Sequence, residues 1–107
     1  MTKIIAPSLL SANFGNLSDD VKMINKSDAE WLHLDIMDGV FVPNISFGIP
    51  IVKAVRKLTD KFLDTHLMIV EPDKYIDRFA DCGVDMLNLH YEACTHLHRV
   101  IQQIKDA

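Results

Sequence analysis

The segment "HLDIMDG" places an imidazole and a carboxylate two positions apart. In an extended strand alternate side chains point to one face, so His33, Asp35 and Met37 would share a face and the aliphatic residues between them the other. A second apolar segment, "FLDTHLMIV", contributes His66. Two imidazoles and a carboxylate from neighbouring strands suit a divalent transition metal such as zinc or iron. A histidine that only makes hydrogen bonds in a core is the alternative.

Three further side chains are candidates for the same cavity. Ser8 could hydrogen-bond a substrate hydroxyl or cap the turn that follows it, and the sequence favours neither role. Met37 and Met68 could shield a reactive carbanion from water, although filling the interior is the commoner role of methionine. His96 and His98 are expected on the solvated surface at the start of a helix.

The candidate residues belong to a recurring pattern of strand followed by helix. Strands are predicted in "KIIAPSLL", "AEWLHLDIM", "FLDTHLMIV" and "DMLNLHY", and each precedes a segment with apolar residues at helical spacing. Four such units imply parallel strands joined by right-handed crossovers. The strand residues expected to face the helices are Ile5, Leu34, Leu67 and Leu89. The residues expected on the opposite face are Ser8, His33, Asp35, His66, Asn88 and His90.

Polar side chains at the carboxyl ends of successive parallel strands, away from the helices, are typical of the mouth of a (β/α)₈ barrel. A whole barrel takes about 250 residues, and this chain has 107. We therefore predict an α/β fold, a (β/α)₄ half of a TIM barrel that occupies residues 1–107 as one domain. An open flavodoxin-like sheet is the alternative. In the long loop "DGVFVPNISFG", Phe41 and Phe47 could close over a ligand or pack locally.

Composition argues against several classes of function. The formal net charge is −4 and the charged residues are mixed along the chain, which indicates neither nucleic acid nor a membrane surface as a partner. No apolar run approaches the roughly 18 residues that cross a bilayer, and the N-terminal segment lacks the features of a signal peptide. A cytoplasmic protein is expected. Cys82 and Cys94 have neither metal-finger spacing nor the density of a disulfide scaffold, so free thiols are predicted.

The segments "IAPSLLSANF", "HLDIMDGVFVPNISFG", "THLMIVEP" and "NLHYEA" resemble the signature segments of the ribulose-phosphate 3-epimerase family. The resemblance implies a metal-dependent isomerase that interconverts D-ribulose 5-phosphate and D-xylulose 5-phosphate through an enediolate. It implies that His33, Asp35 and His66 bind the metal and that Asp35 removes the proton at C3. The residues that it implies contact the substrate are Ser8, Met37, His66 and Met68. The expected metal is Zn²⁺, with Fe²⁺, Mn²⁺ or Co²⁺ as alternatives.

The resemblance also implies catalytic parts that these 107 residues lack. In the family the second catalytic aspartate and the glycine-rich phosphate loop come from the second half of the barrel. We therefore expect an epimerase half that is completed either by a second copy of the chain, as a homo-oligomer, or by a C-terminal half-barrel. The alternative is a non-catalytic half-barrel module that self-associates. Asn13 and Ser46 stand where relatives often have Asp and Thr, and neither is an expected metal ligand.

Overall fold

A parallel sheet forms the centre of the computed structural model, which describes residues 3–107. Its strands are β1 (Trp31–Met37), β2 (Phe62–Met68) and β3 (Met86–Leu89), in the spatial order β1-β2-β3. The helices are α1 (Leu17–Asn25), α2 (Ile49–Leu58), α3 (Ile76–Asp81) and α4 (Leu97–Asp106). Because α2 connects β1 to β2 and α3 connects β2 to β3, each pair of parallel neighbours is joined by a helical crossover. The predicted α/β class is confirmed, as a partial TIM-barrel half.

The segment predicted as the first strand does not form a full strand in the structure. Residues 3–8 run beside β1, but their backbone pairing with it consists of two hydrogen bonds, from Trp31 N to Ile5 O at 3.3 Å and from His33 N to Pro7 O at 2.9 Å, and one bridge at Ser8. Pro7 has no N–H to donate to a ladder, which explains why the pairing stays incomplete. The residues described therefore form three strands instead of four. Ile5 was also wrongly placed under the helices, because 63% of it is exposed.

The core lies between the sheet and the helices. Along β1 the burial alternates, with Leu32, Leu34 and Ile36 buried and the residues between them half-buried. The same face of β2 contributes Leu63 and Leu67. The residues from the helices that pack on this face include Val21, Val52, Val55 and Phe79. Because full burial of a Val or Leu side chain is worth about 1.5–3 kcal/mol, this layer fixes which face of each strand is left for the candidate site.

Arg56 on α2 ties that helix to the beginnings of β2 and β3. Its guanidinium donates to the carbonyl oxygens of Thr59 at 2.7 Å, Lys61 at 2.9 Å and Gly83 at 3.0 Å, and to Asp85 Oδ2 at 3.1 Å. A planar group with five donors can satisfy such a set, whereas a lysine cannot. Arg56 thereby holds the amino ends of two strands together, opposite the end that carries the candidate site.

Proline and glycine residues mark the boundaries of α2 and α3. Pro50 lies in the first turn of α2. Pro72 begins a short 3₁₀ turn that ends at Lys74, and α3 starts only at Ile76. Gly83 follows α3 with a φ of +88°, a left-handed conformation that glycine adopts without strain.

The two cysteines and the two histidines at the start of α4 have the environments that the sequence predicts. Cys82 is buried and Cys94 half-buried, both are free thiols, and burial raises the pKa of each. His96 and His98 are exposed at the start of α4, as predicted. Among the helices within residues 3–107, none combines the length and the apolar character needed to cross a bilayer.

Candidate metal centre

Strand register brings the predicted site residues to one level of the sheet. On the face turned away from the helices, Asp35 of β1 lies opposite His66 of β2, and His33 lies opposite Asp64. The Asp35–His66 pair is in the carboxyl-terminal half of the two strands, and the His33–Asp64 pair lies two positions before it. A (β/α) sheet carries its functional groups at this end. The alternation of strand side chains therefore places the site where the sequence predicts it.

Three donor atoms converge on one point of this face. Asp35 Oδ1 lies 3.0 Å from His33 Nε2 and 3.3 Å from His66 Nδ1, and one ligand atom from each residue lies within 4.8 Å of the other two. A tetrahedral ion with bonds of roughly 2.1 Å separates its ligand atoms by about 3.4 Å. The set of two imidazoles and one carboxylate is also the type that zinc and neighbouring metals prefer. These residues therefore fit a divalent metal.

Asp35 is held as an anion inside this cluster. Only 14% of its side chain is exposed, and this burial by itself raises its pKa. The hydrogen bond from Ser8, the nearby charge of His33 and the contacts with both histidines outweigh burial, so the pKa of Asp35 lies below its ordinary value of 3.8. The two oxygens are used differently, because both histidines contact Oδ1 and the Ser8 hydroxyl donates to Oδ2.

Ser8 has two contacts that bear on its predicted roles. Its Oγ accepts a hydrogen bond from Leu10 N at 3.2 Å, which caps the 3₁₀ turn of Leu9–Ser11. The same hydroxyl donates to Asp35 Oδ2. The capping role is therefore confirmed, and a contact between Ser8 and substrate stays a prediction.

Two residues that the sequence analysis did not assign to the site complete its polar network. Asp64 Oδ2 lies 2.9 Å from His33 Nδ1, and Asn88 Nδ2 donates to Asp64 Oδ1 at 2.5 Å. Asn88 was placed on the correct face, but Asp64 was overlooked. The signal was present, because Asp64 stands two positions before His66 in "FLDTHLMIV" and alternation puts both on one face.

His90 and the loop after β1 close one side of the cluster. His90 lies just beyond β3, and its Nε2 is 2.8 Å from Nε2 of His66. The ring of Phe41 lies over His90 with 5.0 Å between centroids. Phe47 instead packs against Phe14, at 5.5 Å, and against the core. Of the two phenylalanines, only Phe41 therefore lies beside the cluster, and Phe47 packs locally.

Asp38 anchors this loop at the end of β1. Its Oδ1 accepts hydrogen bonds from Val40 N at 2.9 Å and Phe41 N at 2.8 Å, and its Oδ2 accepts one from Val70 N at 2.8 Å. Desolvation raises the pKa of Asp38, but these backbone donors outweigh it and bring the pKa below 3.8. The contact with Val70 joins the loop after β1 to the loop after β2.

Met37 and Met68 are register partners one position beyond the Ile36–Leu67 pair, at the carboxyl ends of β1 and β2. Met68 is buried with 8% exposure, and Met37 is half-buried. The backbone of Met37 is fixed by Ser46, whose Oγ accepts from Met37 N at 3.0 Å and donates to Asp35 O at 2.5 Å. A substrate contact of either methionine stays a prediction.

The fold and the site together define an α/β protein of the parallel, helix-covered class with a candidate divalent-metal site at the carboxyl ends of its strands. Residues 4–107 match the Ribulose-phosphate 3 epimerase family. The chain belongs to that family of isomerases, which confirms the resemblance found in its sequence.

Several curated relatives support this assignment. The chain is 56% identical over 102 residues to the ribulose-phosphate 3-epimerase of Bacillus subtilis, an alignment that covers 95% of this chain and 47% of that protein. It is 50% identical over 105 residues to the Synechocystis enzyme, with 96% and 46% covered. Identity to the chloroplastic ribulose-5-phosphate-3-epimerase of Arabidopsis thaliana is 47%, with 96% and 37% covered. The chain spans about half the length of the curated relatives it matches.

Proposed function

We propose that this chain supplies the metal-binding and proton-abstracting half of an enzyme that interconverts D-ribulose 5-phosphate and D-xylulose 5-phosphate. The observation that carries this proposal is the convergence of donor atoms from His33, Asp35 and His66. Membership of the epimerase family supports it. Residues 1–107 would form one domain, the N-terminal half-barrel, and the cytoplasm remains the expected location.

The reaction would begin with removal of the proton at C3 of the pentulose phosphate. We assign the proton to Oδ2 of Asp35, since this oxygen is not contacted by the histidines, and the electron pair of the C3–H bond moves into an enediolate over C2 and C3. Ser8 orients the carboxylate through its hydrogen bond to Oδ2. A divalent metal held by His33, Asp35 and His66, proposed to be zinc, would stabilise the negative charge on the substrate oxygens. Ser8, His66, Met37 and Met68 would contact the substrate.

Metal analysis is the first test of the site. The purified protein should contain about one zinc ion, or one iron, manganese or cobalt ion, per chain. The double variant His33→Ala, His66→Ala should lose it. A matched control is His96→Ala, His98→Ala, which removes two exposed imidazoles from the same chain and should leave the metal content unchanged. Equal metal content in both double variants would refute the ligand assignment.

Proton exchange at C3 tests the chemistry. D-ribulose 5-phosphate is incubated in D₂O with the protein and the metal, with and without a separately produced C-terminal half of the Bacillus subtilis enzyme, and deuterium at C3 is followed by NMR. We expect deuterium incorporation and formation of D-xylulose 5-phosphate in the completed mixture, and neither product with Asp35→Asn. If the completed mixture incorporates no deuterium, the assignment of Asp35 as the base is wrong.

A partner is proposed because the site face of the sheet is open within residues 3–107. Met86 and Asn88 of β3 are exposed on that face, and at the opposite edge of the sheet the segment beside β1 is uncovered, with Ile4 50% and Ile5 63% exposed. Delivery of a proton to the other face of the enediolate requires a second group on that side. A second copy of this chain or a C-terminal half-barrel would supply it. The mass in solution, measured by light scattering with and without zinc, tests self-association, and a monomer under both conditions would leave only the C-terminal half as the partner.

The alternative is a half-barrel module that associates without turnover. The openness of the same face favours it as the second candidate, since apolar surface of this kind drives association. A dimer that binds metal but exchanges no C3 proton, even when mixed with the C-terminal half, would identify the module.

A further inference from the structure

A chain of hydrogen bonds crosses all three strands behind the candidate metal ligand His33. It runs from Asn88 on β3 to Asp64 on β2, and from Asp64 to His33 on β1. We propose that Asp64 is a positioning residue that holds the His33 ring so that Nε2 faces the metal, and that Asn88 holds Asp64 in place. This inference rests on the proposed metal site.

The assignment of donors and acceptors follows from the groups present. An ionised carboxylate can only accept hydrogen bonds, so the proton shared between His33 and Asp64 is carried by Nδ1 of the ring. Nε2 lies 3.0 Å from Asp35 Oδ1, and an ion bound there would displace the proton shared by these two atoms while the Nδ1 proton stays with Asp64. Nε2 is thus the nitrogen available to an ion. A metal-binding histidine commonly has its second ring nitrogen fixed in this way by a carboxylate. Asp64 therefore acts through His33 and is not itself a ligand.

Asp64 is suited to this role because both of its oxygens are used and its position is buried. Only 9% of Asp64 is exposed, and a buried carboxylate is costly unless hydrogen bonds satisfy it. Oδ2 accepts from His33 and Oδ1 accepts from Asn88. With both oxygens held from opposite sides, the carboxylate cannot turn away from the ring.

Exchanging the residues at positions 64 and 88 tests whether the hydrogen-bond chain is required or only the charge of Asp64. In Asp64→Asn the side-chain amide has a single oxygen to accept from two donors, His33 Nδ1 and Asn88 Nδ2. Its NH₂ group must therefore face one of these donors, which is unfavourable. In the double variant Asp64→Asn, Asn88→Asp, the amide oxygen can accept from His33 while the amide nitrogen donates to the new carboxylate. Residue 88 is exposed, so a carboxylate there remains solvated. The double variant therefore restores the hydrogen-bond chain, with the amide at position 64 and the carboxylate at position 88.

The first experiment measures zinc affinity by competition with a chelator. Asp64→Asn should bind zinc about 10- to 100-fold more weakly than the wild type, and the double variant should regain most of that loss. The control Asp60→Asn removes an exposed carboxylate two positions before β2 and should bind like the wild type. Thermal unfolding of all four proteins checks that each is folded. A loss under about threefold in Asp64→Asn, or a double variant no better than that single variant, would refute the proposal.

A second measurement on the metal-free protein keeps the two proposals distinguishable. The Nδ1 proton of His33, protected by its hydrogen bond, should give a slowly exchanging signal in ¹H–¹⁵N spectra of the wild type and the double variant, and none in Asp64→Asn. A wild type that shows this signal but binds no metal would refute the metal site, although Asp64 would still fix the His33 ring. A wild type without the signal would refute the positioning role whatever its metal content.

Discussion

Two buried threonines allow one substitution to be tested in opposite environments. Thr65 lies in the central strand β2 on the helix-facing side, is fully buried, and its Oγ1 has no hydrogen-bond partner among residues 3–107. Thr59 is also buried, but its Oγ1 donates to Asn25 Oδ1 at 2.5 Å and accepts from Lys61 N at 3.1 Å. Replacement by valine removes the hydroxyl in both cases. We expect Thr65→Val to stabilise the protein and Thr59→Val to destabilise it.

The magnitudes follow from what each hydroxyl contacts. At position 65 a methyl group replaces an unsatisfied hydroxyl, which should raise the free energy of unfolding by about 1–2 kcal/mol, given about 0.8 kcal/mol per buried methylene plus part of the polar penalty. At position 59 two hydrogen bonds are lost, each worth about 0.5–1.5 kcal/mol, so a loss of about 1–3 kcal/mol is expected. For a chain of 107 residues, 1 kcal/mol corresponds to roughly 4–5 °C in Tm.

Urea unfolding followed by circular dichroism at pH 7 measures both variants beside the wild type. The midpoint should move up for Thr65→Val and down for Thr59→Val, with unchanged m values showing that stability alone has changed. A shift of both midpoints in the same direction would refute the reasoning, because it would mean that hydrogen bonding of the hydroxyl does not decide the sign.

Three further outcomes are expected. Gly83→Ala should lower the free energy of unfolding by about 1–3 kcal/mol in urea titrations, because it forces a φ of +88° on alanine and puts Cβ 2.9 Å from Arg56 Cδ. Gly48→Ala, where a Cβ meets no atom within 4 Å of the described structure, should change stability by much less. The pKa values of Asp35 and Asp38 are lower in the folded protein than the ordinary 3.8, so the stability they add is present above about pH 4 and is lost as the pH falls through the folded values. Unfolding curves measured between pH 7 and pH 3 should show a smaller loss of stability at acidic pH for Asp38→Asn than for the wild type. An equal loss in both proteins would contradict the lowered pKa of Asp38.

Much of the fold could be predicted because hydrophobic alternation and helical spacing are local signals. Three predicted strands formed at the predicted places, with their ends moved by one or two residues. The segment predicted as the first strand does not form a full strand, for a reason that periodicity does not detect. Pro7 removes a ladder donor, although the segment begins with the β-branched residues Ile4 and Ile5. The error at Ile5 has the same origin, since a segment without a full ladder is not pressed against the helices.

Within the site, the alternation of strand side chains predicted the face on which each residue lies, but not the residues that it contacts. His33, Asp35 and His66 lie on one face, as the spacing indicates, and the structure adds that Asp35 Oδ1 is shared by both histidines. Asp64 was overlooked because only its contact with His33, on the neighbouring strand, gives it a role. Side-chain partners across strands depend on register, which no segment specifies by itself.

Register is therefore the property on which the proposed site depends. The observed pairing sets Asp35 opposite His66 and His33 opposite Asp64, so that carboxylates and imidazoles alternate across the two strands. A shift of two residues would keep every side chain on its face but place Asp35 opposite Asp64, two carboxylates with like charges, which is destabilising. The stacked rings of Trp31 and Phe62, 4.2 Å apart at the beginning of the same two strands, favour the observed register through apolar contact. The aromatic pair at one end of the strands and the charge pattern at the other thus select the same alignment, and that alignment brings the three candidate metal ligands together.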